Sequence, residues 1–248
     1  MKKLILHIPH SSLTVPLKDG YLVGDDVLEQ EQLILTDWYT DNLFQFEAGI
    51  PIIADFSRIF CDVERFSDDS LEIMSKEGMG VLYERRDNGD ILREINKPLR
   101  EKILNDFYFV HHKRLTSEVN KQLKENGRAL IIDCHSYPDK PMKRDLIKNP
   151  TRPDYNIGTD KFHTSDDLKN KAKQFFDERK LSLGIDTPYA GSIVPTEYYQ
   201  KEKRVQSIML EINRKLYLKD GTNLKSEKYQ EVKQTVKDFL KFMSENCL

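Results

Sequence analysis

The sequence predicts an α/β fold: a mixed, largely parallel central sheet with helices on both faces. Three observations carry this. Short apolar runs alternate with longer amphipathic ones along the chain. The run from Ala129 to Asp133 is nearly continuous in apolar residues, so both faces of that strand must be covered and it belongs in the middle of a sheet. No internal repeat or low-complexity tract divides the 248 residues, so one domain over 1–248 is expected, with two small ones as the alternative.

The elements follow in order. Leu4 to Ile8 reads as a strand ended by Pro9. Asp26 to Phe46 reads as a helix, because Val27, Leu28, Leu33, Ile34, Trp38, Leu43 and Phe44 recur near helical spacing. Pro51 to Asp55 is a second strand, and Ser57 to Asp62 a further short one. Arg65 to Leu99 mixes charges and glycines and predicts irregular structure over the body of the fold. Arg100 to Asn126 is a long helix, closed at Asn126-Gly127 by residue types that tolerate a left-handed backbone. His135 to Thr164 is a loop whose length marks it as functional or disordered. Ser165 caps a helix that runs to Lys180. After a loop from Thr187 to Thr196 come a strand, Val205 to Ile212, and an amphipathic helix, Ser226 to Asn246.

Composition excludes several functions. The chain carries 39 basic against 41 acidic side chains, for a net charge of −2, which argues against a nucleic-acid partner. No run of about 18 apolar residues predicts a membrane span. His7, Pro9 and His10 interrupt the N-terminal apolar segment, which therefore lacks a secretory core. Cys61, Cys134 and Cys247 are widely spaced, with no CxxC pair, and fit a reducing cytoplasm.

Ligands of α/β sheets sit beyond the carboxyl ends of the strands, so polar residues there are the first candidates. His10 follows the first strand. Its alternative is a loop histidine beside a serine turn. His135 follows the apolar strand, with Asp133 two residues earlier on the same face and able to orient the ring. A plain hydrogen-bonded histidine at a strand end is its alternative. His7 reads as structural. Two histidines need one carboxylate to complete a catalytic zinc site, and Asp37 is the nearest plausible donor. Glu211, inside an apolar strand, needs either a chemical role or a partner; it is a general base, or it forms a buried ion pair with Arg214 or a lysine. Arg58 and Arg65 could grip a substrate carboxylate, or pair with Asp55, Asp62 or Glu64.

These pieces together resemble the N-formylglutamate amidohydrolase family, relatives of zinc carboxypeptidases and aspartoacylase-like deacylases. The resemblance covers about residues 4–219. It rests on IPHSS with Pro16, LTDWYTDNLF, ADFSRIFCDVER, His111-His112, LIIDCHSYP, PDYNIGTDKFHTS, TPYAGSIVPTEYY and VQSIMLEINRKLYL in that order. It implies a carboxypeptidase-like (phosphorylase/hydrolase-like) fold, a bound Zn²⁺ and hydrolysis of an N-acyl amino acid, N-formyl-L-glutamate first among them. It further implies His10, Asp37 and His135 as metal ligands and Glu211 as general base. Arg65 would hold the substrate carboxylate, with Arg58 near the oxyanion. Glu64 stands where the family carries an asparagine, and Ser12 where many members carry glycine, which leaves the substrate's identity open. Rival readings are a related peptidase or amidase on another N-acyl amino acid or cell-wall peptide, and a non-catalytic domain that binds carboxylates.

Overall fold

A computed structural model describes residues 3–248; the first two residues of the N-terminal segment read above lie outside them. Six strands form one sheet: β1 Leu4–Ile8, β2 Gly49–Ile53, β3 Ala129–Tyr137, β4 Tyr155–Gly158, β5 Leu183–Ile185 and β6 Val205–Asn213. Their order is β2-β1-β3-β6-β4-β5. β2, β1, β3 and β6 run parallel, whereas β4 pairs antiparallel with β6 and parallel with β5. The expected mixed, largely parallel sheet is therefore present.

Alternation along the strands sorts residues onto two faces. Leu4, Leu6, Ile8, Leu130, Ile132, Ile208 and Leu210 pack in one cluster with residues of α5 (Asp166–Glu178) and α6 (Tyr229–Cys247). Ile5, Ile131 and Val205 face the other way, onto Leu115 and Val119 of α4 (Phe109–Asn126). His7, Asp133, His135 and Glu211 share the strand parity of this second face. Register sets His7 beside Asp133 and His135 beside Glu211. The sheet thus gathers its polar residues on one face toward one end.

Local chemistry explains the helix ends. Ser165 Oγ accepts from Leu168 N–H and caps α5, as expected. Gly127 ends α4 at φ 73°, donating to Leu123 O. Asn96 caps a shorter helix, α3 (Lys97–Ile103), which joins α4 through one wide turn, Leu104–Tyr108.

The structure departs from the sequence reading in four places. The helix expected over 26–46 is two: α1 (Asp25–Leu35) and α2 (Thr40–Leu43). Between them Thr36 is extended and Tyr39 is left-handed at φ 63°. The break turns Asp37 inward, onto Arg214 at 2.9 Å and His135 at 3.1 Å. β3 does not stop at Asp133 but carries His135 within it, hydrogen-bonded along β6 to Tyr137. Ser57 to Asp62 forms turns rather than a strand. β4 and β5 lie in stretches too short and polar to read as strands.

The irregular region is anchored by a charge. Arg93, 1% exposed, donates to Tyr83 O and Phe60 O at 2.6 Å each. Buried carbonyls without partners are costly, and one guanidinium here satisfies two. Among the described residues no helix is long and apolar enough to cross a membrane.

Candidate functional site

Three side chains meet near the carboxyl ends of β1 and β3, His135 from within β3 itself. The sequence delivers them differently. His10 follows β1 after Pro9, and its carbonyl accepts from Asp37 N–H at 3.0 Å, which ties the helix break to the strand end. Asp37 Oδ2 also accepts from Ser136 N–H at 3.2 Å. His135 projects from β3. Donor atoms of His10, Asp37 and His135 all lie within 4.8 Å of one another, and all three residues are buried.

Hydrogen bonds fix each ring from behind. His10 Nε2 donates to Asp62 Oδ1 at 2.8 Å, and His135 Nε2 to Asp133 Oδ1 at 3.0 Å. Such carboxylates orient metal-bound imidazoles and raise their basicity. The other ring nitrogens face Asp37 Oδ2: His135 Nδ1 at 3.1 Å and His10 Nδ1 at 3.6 Å. His10 Nδ1 is buried and has no hydrogen-bond partner. A proton on His135 satisfies only one of these contacts. A single divalent ion between the three donors satisfies all of them. Ligands of a tetrahedral zinc stand about 3.3–3.6 Å apart when bonds are about 2.0–2.2 Å, and the two separations bracket that spacing. The residues present fit a metal.

Charge supports the same reading. Burial alone would raise the Asp37 carboxyl, yet His10, His135 and Arg214 hold it well below the usual range, so it stays ionised. Arg214 donates to Asp37 Oδ1 at 2.9 Å and to the carbonyls of Ile34 and Ser136. Asp62 is likewise held ionised against burial by His10, Arg58 and Arg65. It accepts from Tyr83 Oη at 2.7 Å, Arg58 Nη2 at 3.0 Å and Glu64 N–H at 3.0 Å.

Glu211 projects from β6 beside His135 in register. Burial pushes its carboxyl up to about 8, against the pull of His135. Its Oε2 is buried with no hydrogen-bond partner. The ion pair with Arg214 that the sequence left open does not form, because Arg214 belongs to Asp37. An unpartnered carboxylate that favours its neutral form at the wall of a cavity can take up a proton.

His10, Asp37, His135, Glu211, Arg58 and Arg65 all line one cavity of about 590 Å³. All six residues singled out in the sequence are thus brought together. Arg58 and Arg65 both touch Asp62, at 3.0 and 3.6 Å, the pairing that was their alternative to substrate binding. Sequence reasoning missed the work of Asp62 and Arg214. The two arginines flanking Asp62 were a signal that it needed strong counter-charge. Nothing in the sequence linked Arg214 to Asp37, 177 residues away.

The family model of N-formylglutamate amidohydrolase matches residues 2–218. Among solved structures, an N-formylglutamate amidohydrolase from Ralstonia eutropha JMP134 superposes with a TM-score of 0.84 at 21% identity, over 98% of this chain and 92% of that one. A gene product of Agrobacterium tumefaciens gives 0.64 at 16% identity, over 99% and 88%. No curated protein matches the chain. The structural likenesses establish the fold, and the family implies a small-molecule substrate. The match spans every element from β1 to β6, the whole sheet that carries the histidine–carboxylate site, so the chain belongs to the N-formylglutamate amidohydrolase family.

Proposed function

We propose that this protein is a zinc-dependent amidohydrolase that cleaves the amide bond of an N-acyl amino acid. On N-formyl-L-glutamate, the compound in the family's name, the products would be formate and glutamate. The observation that carries the reading is the unpartnered His10 Nδ1 facing Asp37 and His135.

His10, Asp37 and His135, which all line the cavity, would hold the ion. When bound, such an ion acidifies a water and polarises a carbonyl. The chain supplies the rest. Glu211 takes the water's proton at its free Oε2 and passes it to the departing nitrogen. Water thereby adds across the C–N bond, giving a carboxylic acid and a free amine. Asp62 and Asp133 keep both imidazoles in the ligating tautomer. Arg58, whose Nη1 is 4.0 Å from Asp37 Oδ1, places positive charge beside the ligand set for the developing oxyanion. Arg65 holds the substrate by a carboxylate and limits its motion.

The test is release of free amino acid from N-formyl and N-acetyl amino acids, with and without zinc, on wild type and Glu211→Gln. Turnover should require the metal. Glu211→Gln should lower the rate roughly 10²–10⁴-fold with metal content and Tm nearly unchanged. A zinc-loaded, fully active Gln variant would remove Glu211 from the chemistry. Turnover that survives complete zinc removal would sink the metal reading.

A further inference from the structure

An arginine side chain is flexible, so one that serves a developing oxyanion must be held in place. One edge of the Arg58 guanidinium is committed. Its Nε donates to Tyr83 Oη at 3.2 Å, and its Nη2 donates to Asp62 Oδ2 at 3.0 Å. Tyr83 Oη in turn donates to the same Asp62 Oδ2 at 2.7 Å, so the three groups close a triangle. Nη1 stays outside it. Among the described residues it makes no hydrogen bond, and it lies 4.0 Å from Asp37 Oδ1. Asp62 turns its other oxygen to His10 Nε2 and the Glu64 N–H.

Tyr83 is itself held. It is fully buried and lines the cavity. Its carbonyl accepts from Arg93 Nε at 2.6 Å, and Arg93 Nη2 donates to Phe60 O at 2.6 Å. Asp62 N–H donates to Val81 O at 2.8 Å. The strip that carries Val81 and Tyr83 is thus fastened at two points to the turn that carries Arg58 and Asp62. Burial pushes the Tyr83 hydroxyl up to about 12, so it keeps its proton for Asp62. A hydroxyl can donate and accept at once, and here it does both. Phenylalanine would fill the same space and leave Arg58 Nε without its acceptor. Asp62 would keep Arg58 Nη2, His10 and the Glu64 N–H.

Resting on the amidohydrolase reading above, we propose that Tyr83 is a positioning residue. Its hydroxyl fixes one edge of the Arg58 guanidinium so that Nη1, the arm left free, meets the oxyanion. Arg93 fixes Tyr83 from behind. The irregular region between Arg65 and Leu99 then has a task at the site: it brings one phenol to the arginine that borders the ligand set.

The experiment is a double-mutant cycle on zinc-saturated protein, with Tyr83→Phe, Arg58→Ala and the pair. On N-formyl-L-glutamate, Arg58→Ala should lower kcat roughly 10²–10³-fold, as loss of an oxyanion donor does. Tyr83→Phe should lower kcat up to about 10²-fold with KM little changed, as a misplacement of about 1 Å does. In the Arg58→Ala background it should cost nothing further. Calorimetry with N-phosphono-L-glutamate, whose tetrahedral phosphorus stands for the carbon under attack, reads the same contact without turnover. Its affinity should fall in Tyr83→Phe only while Arg58 is present. A merely structural tyrosine would act in both backgrounds. Equal losses in both, or no effect of Tyr83→Phe on analogue affinity, would therefore overturn the inference, while turnover by the wild type would still support the amidohydrolase reading. Analogue binding coupled as expected, with no turnover by any of the proteins, would support the inference and overturn the catalytic reading.

Discussion

Two histidine–carboxylate clusters lie side by side at the ends of β1 and β3, and proximity alone does not tell them apart. In each, donor atoms fall within 4.8 Å: His10, Asp37 and His135 in one, His7, Glu64 and Asp133 in the other. They differ in hydrogen-bond accounting. His10 has one ring nitrogen engaged by Asp62 and the other without a partner. His7 has both engaged, Nδ1 with Asp133 and Nε2 with His111, each at 2.9 Å. An imidazole ligates through a lone pair, and only the first cluster's histidine has a ring nitrogen without a partner; in the second, the buried atom without a hydrogen bond is a carboxylate oxygen, Glu64 Oε1, 2.9 Å from His7 Nδ1. The second is a buried ionic brace that orients Asp133, which in turn orients His135. One set of strands thus builds a candidate centre and its support from the same residue types.

The largest effect expected from this contrast falls on the first cluster. His10→Ala or His135→Ala should remove bound zinc and abolish turnover, as read by elemental analysis and amine release. Three ligands hold a catalytic zinc, and two rarely suffice. If either variant retained a full complement of metal, the two clusters would have been assigned the wrong way round.

A smaller effect should follow from Asp62→Asn. The amide can still accept from His10 Nε2, but it no longer raises the basicity of the ring. Loss of such a supporting carboxylate lowers metal affinity or activity by roughly 10–100-fold. Competition against a chelator of known affinity measures this. Unchanged affinity would mean that Asp62 serves only Arg58, Tyr83 and the Glu64 N–H, its other partners.

How much of this was legible in the sequence depends on what each residue's neighbours are. β1, β3 and β6 announced themselves by apolar runs, and the strand period alone put Asp133 behind His135. His10, His135 and Glu211 stood out because polar residues at strand ends or inside apolar strands demand a reason. Asp37 was visible as a carboxylate in an apolar setting, but its helix hid the break. Helical spacing continues through Trp38, while the contacts Asp37 makes past the break, with Arg214, His135 and the His10 carbonyl, are all long-range. The cavity wall was least legible. Met74 sits in a short 3₁₀ helix and Met79 and Met142 in irregular segments, none with a readable period, and only tertiary packing unites them at the cavity. Local pattern encodes what a strand carries. It is silent on which irregular segments converge.

The smallest effect on metal content should come from the second cluster, and it tests the contrast most sharply. His7 is 0% exposed. Burial alone would depress its pKa, but the Asp133 and Glu64 carboxylates outweigh burial and raise it to about 9. Burial and the His7 charge push His111 down to about 2, so that ring is neutral and accepts from His7 Nε2. His7 is therefore a buried cation braced on both sides. His7→Gln removes that charge and leaves Asp133 and Glu64 facing each other. Breaking a buried pair in this way costs about 3–5 kcal/mol. At about 2–4 °C per kcal/mol for a chain of this size, Tm should fall by roughly 6–20 °C. Zinc should stay at one ion per folded chain, with affinity reduced less than in Asp62→Asn, since Asp133 keeps the Ile193 N–H on its other oxygen and remains in place behind His135. Calorimetric melting and metal analysis on one preparation decide the matter. A fall from two ions to one, with stability unchanged, would show that His7, Glu64 and Asp133 bind a metal of their own, and the distinction drawn from the unpartnered nitrogen of His10 would fail.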